Sequence, residues 1–168
     1  IKRVRDIVNT IEKLTNRGVR VRYIFQKFHD RLYLGYLYSN AGAEVRYSSC
    51  PAIHSMRFIT VDGKITVISI PETPGPQEVS RKGYQIPSQG LGTIMKHHFD
   101  ACWPKDVTFQ EYLGEVLKQT GVSINQLALE LGLEAKELER FLAEPSPRSN
   151  KTEPDTCASC DTDTKGQV

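Results

Sequence analysis

The stretch Ile-His-Ser-Met-Arg-Phe-Ile-Thr-Val-Asp-Gly-Lys, residues 53–64, carries the clearest fold signal in this chain of 168 residues. Residues 56–61 and 64–70 are rich in β-branched residues or alternate between apolar and polar, which is typical of strands. Asp62-Gly63 lies between them and favours a two-residue turn whose positions both have a positive φ. The sequence therefore predicts a hairpin here.

Further elements are predicted on both sides of this hairpin. Apolar residues at helical spacing indicate a helix over 4–14, and alternating residues indicate a strand over 19–25. A stretch rich in Leu and Tyr indicates a helix over 30–40 that ends at a glycine. A strand over 43–49 follows. The Pro- and Gly-rich stretch 71–90 is predicted to be a loop, and helical spacing resumes from Leu91 to Cys102. This order predicts an α/β domain with a mixed sheet.

Residues 53–64 resemble the signature of the phospholipase D-like superfamily, which reads His, any residue, Lys, four residues, Asp. Arg57 and Asp62 keep the Lys-to-Asp spacing, Ser55 occupies the histidine position, and His54 lies one residue early. The segments 17–22 and 41–46 resemble strands of that family, so about 100 residues are covered. The resemblance implies a phospholipase D-like mixed sheet flanked by helices over residues 1–103. The Phe99–Trp103 pair at its end resembles effector-sensing domains of bacterial transcription regulators.

The resemblance also bears on catalysis. Such enzymes need two copies of the histidine motif, so one copy per chain would require a homodimer. Ser55 cannot form a phosphohistidine-type intermediate, and Arg57 is not equivalent to Lys. We therefore expect a non-catalytic sensing or dimerisation domain, in which Arg57 together with Arg20, Arg22 and Arg46 binds an anionic small-molecule effector. The alternative is a dimeric phosphodiesterase or nuclease that uses His54, Arg57 and Asp62, with a β-bulge re-aiming the histidine.

Charge is divided unevenly along the chain. Residues 1–100 contain 15 Lys and Arg against 8 Asp and Glu, whereas residues 101–168 contain 7 against 12. A basic first part is compatible with phosphate-bearing partners, although a basic face is also common on ordinary solvated surfaces.

A second unit is predicted over residues 108–144. Thr108 with Glu111 and Ser123 with Gln126 have capping-box spacing, which indicates two helix starts. Residues 123–142 resemble a helix-turn-helix of the Cro-repressor type. In that motif a small residue (Ala128) lets two helices approach, Gly132 forms the turn, and Leu138 packs the second helix on the first. The fold class is thus α/β with a small all-α unit at the C-terminal side, followed by a disordered tail over 145–168.

The helix-turn-helix predicts DNA as a partner, with Asn125, Gln126, Lys136 and Arg140 as contact residues. Its second helix, residues 134–140, carries three Glu against one Lys and one Arg, which opposes binding to a polyanion. Two functions from different classes stay open. One is a DNA-binding transcription regulator, and the other is a protein-interaction module whose acidic helix meets a basic partner.

The remaining residues support fewer hypotheses. We expect no cofactor and no metal, because the adjacent His97 and His98 point about 100° apart on a helix and Cys157 with Cys160 forms only half of a zinc site. No apolar run approaches the length of about 20 residues that a membrane span needs. The sparse cysteines suit a reducing cytoplasm.

Overall fold

The computed structural model describes residues 2–50, 57–71 and 81–143. Within them the chain divides into two compact units. The first unit combines residues 2–49 with residues 106–143, and the second contains residues 57–71 and 81–105. Across the described ranges, every helix is too short or too polar to cross a membrane.

Two helix–strand pairs begin the described chain, three further strands follow, and helices dominate from residue 89 onward. In chain order they are α1 Lys2–Thr15, β1 Arg22–Gln26, α2 Leu32–Asn40, β2 Glu44–Ser48, β3 Arg57–Val61, β4 Ile65–Pro71, β5 Arg81–Ile86, α3 Gln89–Cys102, β6 Val107–Thr108, α4 Phe109–Thr120, α5 Ile124–Leu131 and α6 Ala135–Ala143. The predicted mixed α/β class is confirmed.

The first unit is built on a sheet of three strands with β2 in the centre. β1 runs parallel to β2, with Tyr23 opposite Val45, and the short β6 runs antiparallel to β2, with Val107 opposite Tyr47. The central position explains why β2 is buried from Val45 to Ser48. Such a parallel pair requires a crossover between its strands, and α2 provides it.

One hydrophobic core holds the first unit together, and both chain segments contribute to it. Its fully buried side chains include Leu32 and Tyr47 from the first segment and Leu113, Leu127 and Leu138 from the second. The helix pair α5–α6 therefore does not form a core of its own. This grouping differs from the successive domains 1–103 and 108–144 expected from sequence, because β6 returns to pair with β2.

The helix starts and stops of the second segment agree with the sequence signals. Thr108 and Glu111 form a complete capping box at α4, and Ser123 Oγ accepts the backbone N–H of Gln126 at α5. Gly132 ends α5 in the left-handed conformation at φ 69°, which glycine adopts without strain. The predicted pair of helices is confirmed as α5 and α6.

The second unit contains the antiparallel sheet β3–β4–β5 and helix α3. Asp62 and Gly63 have φ values of 51° and 65°, so the predicted hairpin turn is confirmed. The loop prediction for 71–90 was wrong over Arg81–Ile86, which form β5 opposite β4. Because β5 is an edge strand with exposed residues from 82 to 85, it lacks the apolar alternation that marks half-buried strands. The described strands thus form two three-stranded sheets, not the single mixed sheet expected.

Candidate functional site

The structure describes only residues 57–64 of the stretch 53–64 that resembles the phospholipase D-like signature. Arg57 is the first residue of β3 and is exposed, and Asp62 follows the last residue in the hairpin turn. Because an extended strand rises about 3.3 Å per residue, the two lie about 16 Å apart along β3. They therefore do not form a local pair. His54 and Ser55, with the β-bulge proposed to re-aim His54, lie outside the described residues.

The other three predicted anion-binding arginines belong to the first unit, whereas Arg57 belongs to the second. Arg20 binds Glu44 with two hydrogen bonds, of 2.5 Å from Nε and 2.9 Å from Nη2. Arg22 opens β1, half-buried and opposite Glu44 in the strand register. One carboxylate, that of Glu44, thus faces two arginines at this edge of the sheet.

Arg46 is buried, with 8% of its surface exposed. Its Nη1 donates to the backbone carbonyl of Asp106 at 3.3 Å, and burial lowers its pKa although nearby Glu111 and Asp106 oppose the shift. A guanidinium in this position stabilises the junction of β2 and β6. Arg20 and Arg46 are thus both bonded within the protein, and their part in an effector site stays a prediction.

Sequence reasoning missed a polar cluster at the carboxyl end of β2. Lys27 follows β1 and donates its backbone N–H to Ser48, and Ser48 ends β2 beside Asp106 at the start of β6. The Lys27 ammonium donates to Glu115 of α4 at 2.6 Å. These residues come from two distant segments of the chain, which strand pairing and the packing of α4 bring together, so no sequence signal marks them.

Asp106 is the most perturbed carboxyl of this cluster. Burial raises its pKa above 3.8, while a hydrogen bond from Ser48 and the charges of Arg46 and Lys27 oppose the rise. Its Oδ2 is buried and has no hydrogen-bond partner among the described residues. The cluster can therefore hold a proton more readily than an exposed aspartate.

Helix α3 carries His97, His98 and one cysteine, Cys102. His97 is exposed and His98 is half-buried, with the His98 Nε2 4.0 Å from the Sγ of the buried Cys102. In the described ranges, no group of three or more His, Cys, Asp or Glu could hold a metal ion. Cys157 and Cys160 lie outside the described residues.

The predicted DNA-contact residues are all exposed on the helix pair. Asn125 and Gln126 lie in the first turn of α5, and Lys136 and Arg140 lie on α6. Leu138 and Phe141 face the core, being 0% and 6% exposed. Since successive residues of a helix are separated by about 100°, Lys136, Glu139 and Arg140 start from the side of α6 opposite this apolar face. The Arg140 guanidinium reaches back to 5.2 Å from the centroid of the Phe141 ring.

One carboxylate of α6, that of the half-buried Glu137, is bonded to α2. Glu137 accepts a 2.6 Å hydrogen bond from the Tyr36 hydroxyl of α2 and a 3.1 Å bond from the backbone N–H of Glu134. The hydrogen bond from Tyr36 is the largest cause of a lowered pKa at Glu137. The outward side of α6, defined by Lys136, Glu139 and Arg140, therefore carries two cations and one carboxylate. The electrostatic objection to DNA is weaker than the composition of residues 134–140 indicates.

No protein-family model, no curated protein and no solved structure matches this chain. The phospholipase D-like and Cro-type resemblances therefore stay predictions from the motifs, and function is argued from geometry.

Proposed function

We propose that this protein is a non-catalytic regulatory protein that binds DNA through the helix pair α5–α6, in the control of transcription. The outward side of α6 carries the proposal, because Lys136 and Arg140 are exposed there while Glu137 is turned toward Tyr36. The rest of the chain, including the phospholipase D-like stretch around Arg57, would serve sensing of an anionic effector or formation of a homodimer.

The physical basis is the fit of a helix to duplex DNA. The major groove is wide enough for an α-helix, and exposed cations beside it neutralise phosphates and release counterions. In a helix-turn-helix the second helix enters the groove while the first crosses the backbone. Under this proposal Lys136 and Arg140 contact DNA from α6, and Asn125 and Gln126 contact it from the start of α5.

Fluorescence anisotropy of a labelled mixed-sequence duplex tests the proposal with the full chain. Removing Lys136 should weaken binding across sequences and lower the slope of log affinity against log salt by about one. Lys118→Ala is the matched control, because Lys118 is an exposed lysine in the last turn of α4, outside the helix pair. Absence of salt-dependent binding by the wild-type chain, or equal effects of Lys136→Ala and Lys118→Ala, would contradict the proposal.

A second candidate function is association with another copy of this chain through α5, and the exposure of Leu129 favours it. Leu129 is 80% exposed, the highest fraction among the exposed large apolar side chains of the described residues. An apolar side chain so placed can be buried by a second copy of this chain, which fits the homodimer that we expect. Sedimentation velocity of Leu129→Glu tests this, with Val19→Glu as control, since Val19 is 44% exposed outside the helix pair. A monomeric wild type, or an unchanged dimer in Leu129→Glu, would exclude it.

A further inference from the structure

Arg140 is held by a side-chain amide oxygen, whereas Arg20 is held by a carboxylate. The Arg140 Nη2 donates a 2.8 Å hydrogen bond to the side-chain oxygen of Asn40, the last residue of α2. Arg20 is bound by a carboxylate, and Arg46 is buried near several. An amide oxygen fixes a guanidinium but carries no charge. The charge of Arg140 also acts on Glu137, whose pKa it helps to lower.

The surface beneath Arg140 is rigid. Its guanidinium carbon lies 5.2 Å from the centroid of the Phe141 ring. That ring is 6% exposed and packs edge-on against Tyr36 and Phe109, at centroid distances of 5.8 and 5.1 Å. A planar guanidinium that lies on an anchored ring and is hydrogen-bonded at one edge has already lost much of its side-chain freedom.

Pre-positioning matters for anion binding. Arginine has five N–H donors in a fixed planar arrangement that matches the oxygens of a phosphate. Where the geometry is already set, binding costs less side-chain entropy. Because Asn40 uses one edge of Arg140, the guanidinium keeps other donors for an anionic acceptor on the exposed side of α6.

We infer that Asn40 is a positioning residue, which holds Arg140 in place to contact a phosphate of the DNA backbone. This rests on the proposed function, and it assigns a DNA-binding role to α2, which is remote in sequence from the helix pair. Asn40 itself does not touch the DNA; it acts through Arg140.

Replacing the amide by a carboxylate separates positioning from simple structural support. In Asn40→Asp the same contact becomes an ion pair, which withdraws the charge of Arg140 from the phosphate. Salt dependence of the full chain on a labelled duplex is the readout. Log affinity falls against log salt concentration with a slope of about 0.9 for each phosphate contact. A variant that has lost one contact should therefore lose roughly 3.5-fold less affinity than the wild type between about 50 and 200 mM salt. Arg140→Gln should give the same change.

Two further variants keep this test specific. Asn16→Asp adds the same charge at an exposed residue after α1 and should leave the slope unchanged. The double variant Asn40→Asp/Arg140→Gln should behave as Arg140→Gln alone, because Asn40 acts through the arginine. Near-ultraviolet circular dichroism of each variant verifies that the tyrosine-rich core remains folded.

The outcomes distinguish the two proposals. DNA binding with an unchanged salt slope in Asn40→Asp, or an equal effect of Asn16→Asp, overturns the role of Asn40 and leaves the DNA-binding proposal standing. A further loss in the double variant also overturns it, because it indicates general repulsion. Absence of DNA binding by the wild-type chain overturns both.

Discussion

Gly35 of α2 lies where the structure has no room for a side chain. A Cβ built on Gly35 would lie 1.8 Å from the Tyr47 hydroxyl oxygen, 2.9 Å from its Cζ and 3.1 Å from a ring carbon of Phe109. Tyr47 is 0% exposed, and its hydroxyl donates to the backbone carbonyl of Arg31 at 3.0 Å. The Tyr47 ring cannot move away without disturbing the core and losing this hydrogen bond, so Gly35→Ala should destabilise the first unit.

The change in the free energy of unfolding follows from two destabilising contributions and one stabilising contribution. Overpacking a closed core costs about 1–3 kcal/mol, and this overlap is severe enough for the upper part of that range. Loss of the Tyr47 hydrogen bond costs about 1 kcal/mol more. Alanine is favoured over glycine inside a helix by about 1 kcal/mol, which offsets part of the cost. The expected net loss is about 2–3 kcal/mol in the free energy of unfolding.

Urea unfolding can be followed separately in the two units. Six of the seven tyrosines belong to the first unit, whereas the single tryptophan, Trp103, belongs to the second. Gly35→Ala should therefore lower the midpoint of the tyrosine near-ultraviolet signal, with a smaller effect on tryptophan fluorescence.

The same substitution elsewhere in the first unit is the matched control. A Cβ on Gly114, inside α4, meets nothing within 4 Å, so Gly114→Ala should stabilise the first unit by up to about 1 kcal/mol. Tyr47→Phe removes the atom nearest to the added methyl group and should recover part of the loss in the Gly35→Ala background. If Gly35→Ala proved as stable as Gly114→Ala, the close packing of α2 on β2 would be refuted.

Three further variants test other parts of the molecule. Gly92→Ala should lower the midpoint seen by tryptophan fluorescence, because its Cβ would lie 2.4 Å from the carbonyl oxygen of Gly63 in the hairpin turn. Burial raises the pKa of Asp106, so its ionisation lowers the free energy of unfolding as pH rises from 3.8 through the folded-state pKa. Asp106→Asn lacks this loss, and its urea midpoint should therefore increase relative to that of the wild type over the same pH range. The hydrogen bond from Tyr36 lowers the pKa of Glu137 below 4.5. The stability that this bond contributes is fully present above pH 4.5 and is lost as pH falls through the folded-state pKa. Tyr36→Phe should therefore be destabilised at neutral pH and approach the wild type in acid.

Local signals predicted those parts of the fold that local interactions determine. The helix starts at Thr108 and Ser123 and the hairpin turn at Asp62-Gly63 each depend on a few neighbouring residues, and the structure has them where the sequence places them. β5 was missed because an exposed edge strand is stabilised by its backbone pairing with β4, which leaves no apolar pattern.

Partners that are distant in sequence decide the chemistry of the charged residues, and the sequence could not predict them. Arg20 meets Glu44, and Lys27 meets Glu115, 88 positions away. Glu137 contributes to an acidic helix in the sequence, and the hydroxyl of Tyr36, 101 positions away, donates a hydrogen bond to its carboxylate. Counting charges along residues 134–140 therefore does not show which of them a partner would meet.

The shared core also determines how DNA binding must be tested. A truncation that ends at residue 107 would remove Phe109, Leu113, Leu127 and Leu138, which are buried with Tyr47 of the first segment. Each deleted core side chain contributes on the order of 2 kcal/mol, and a typical domain is stable by only about 5–15 kcal/mol. Such a truncation should unfold the first unit, so its failure to bind would not locate the DNA contact. Point variants on the exposed side of α6 remove single charges and leave the core intact, so only they separate recognition from folding.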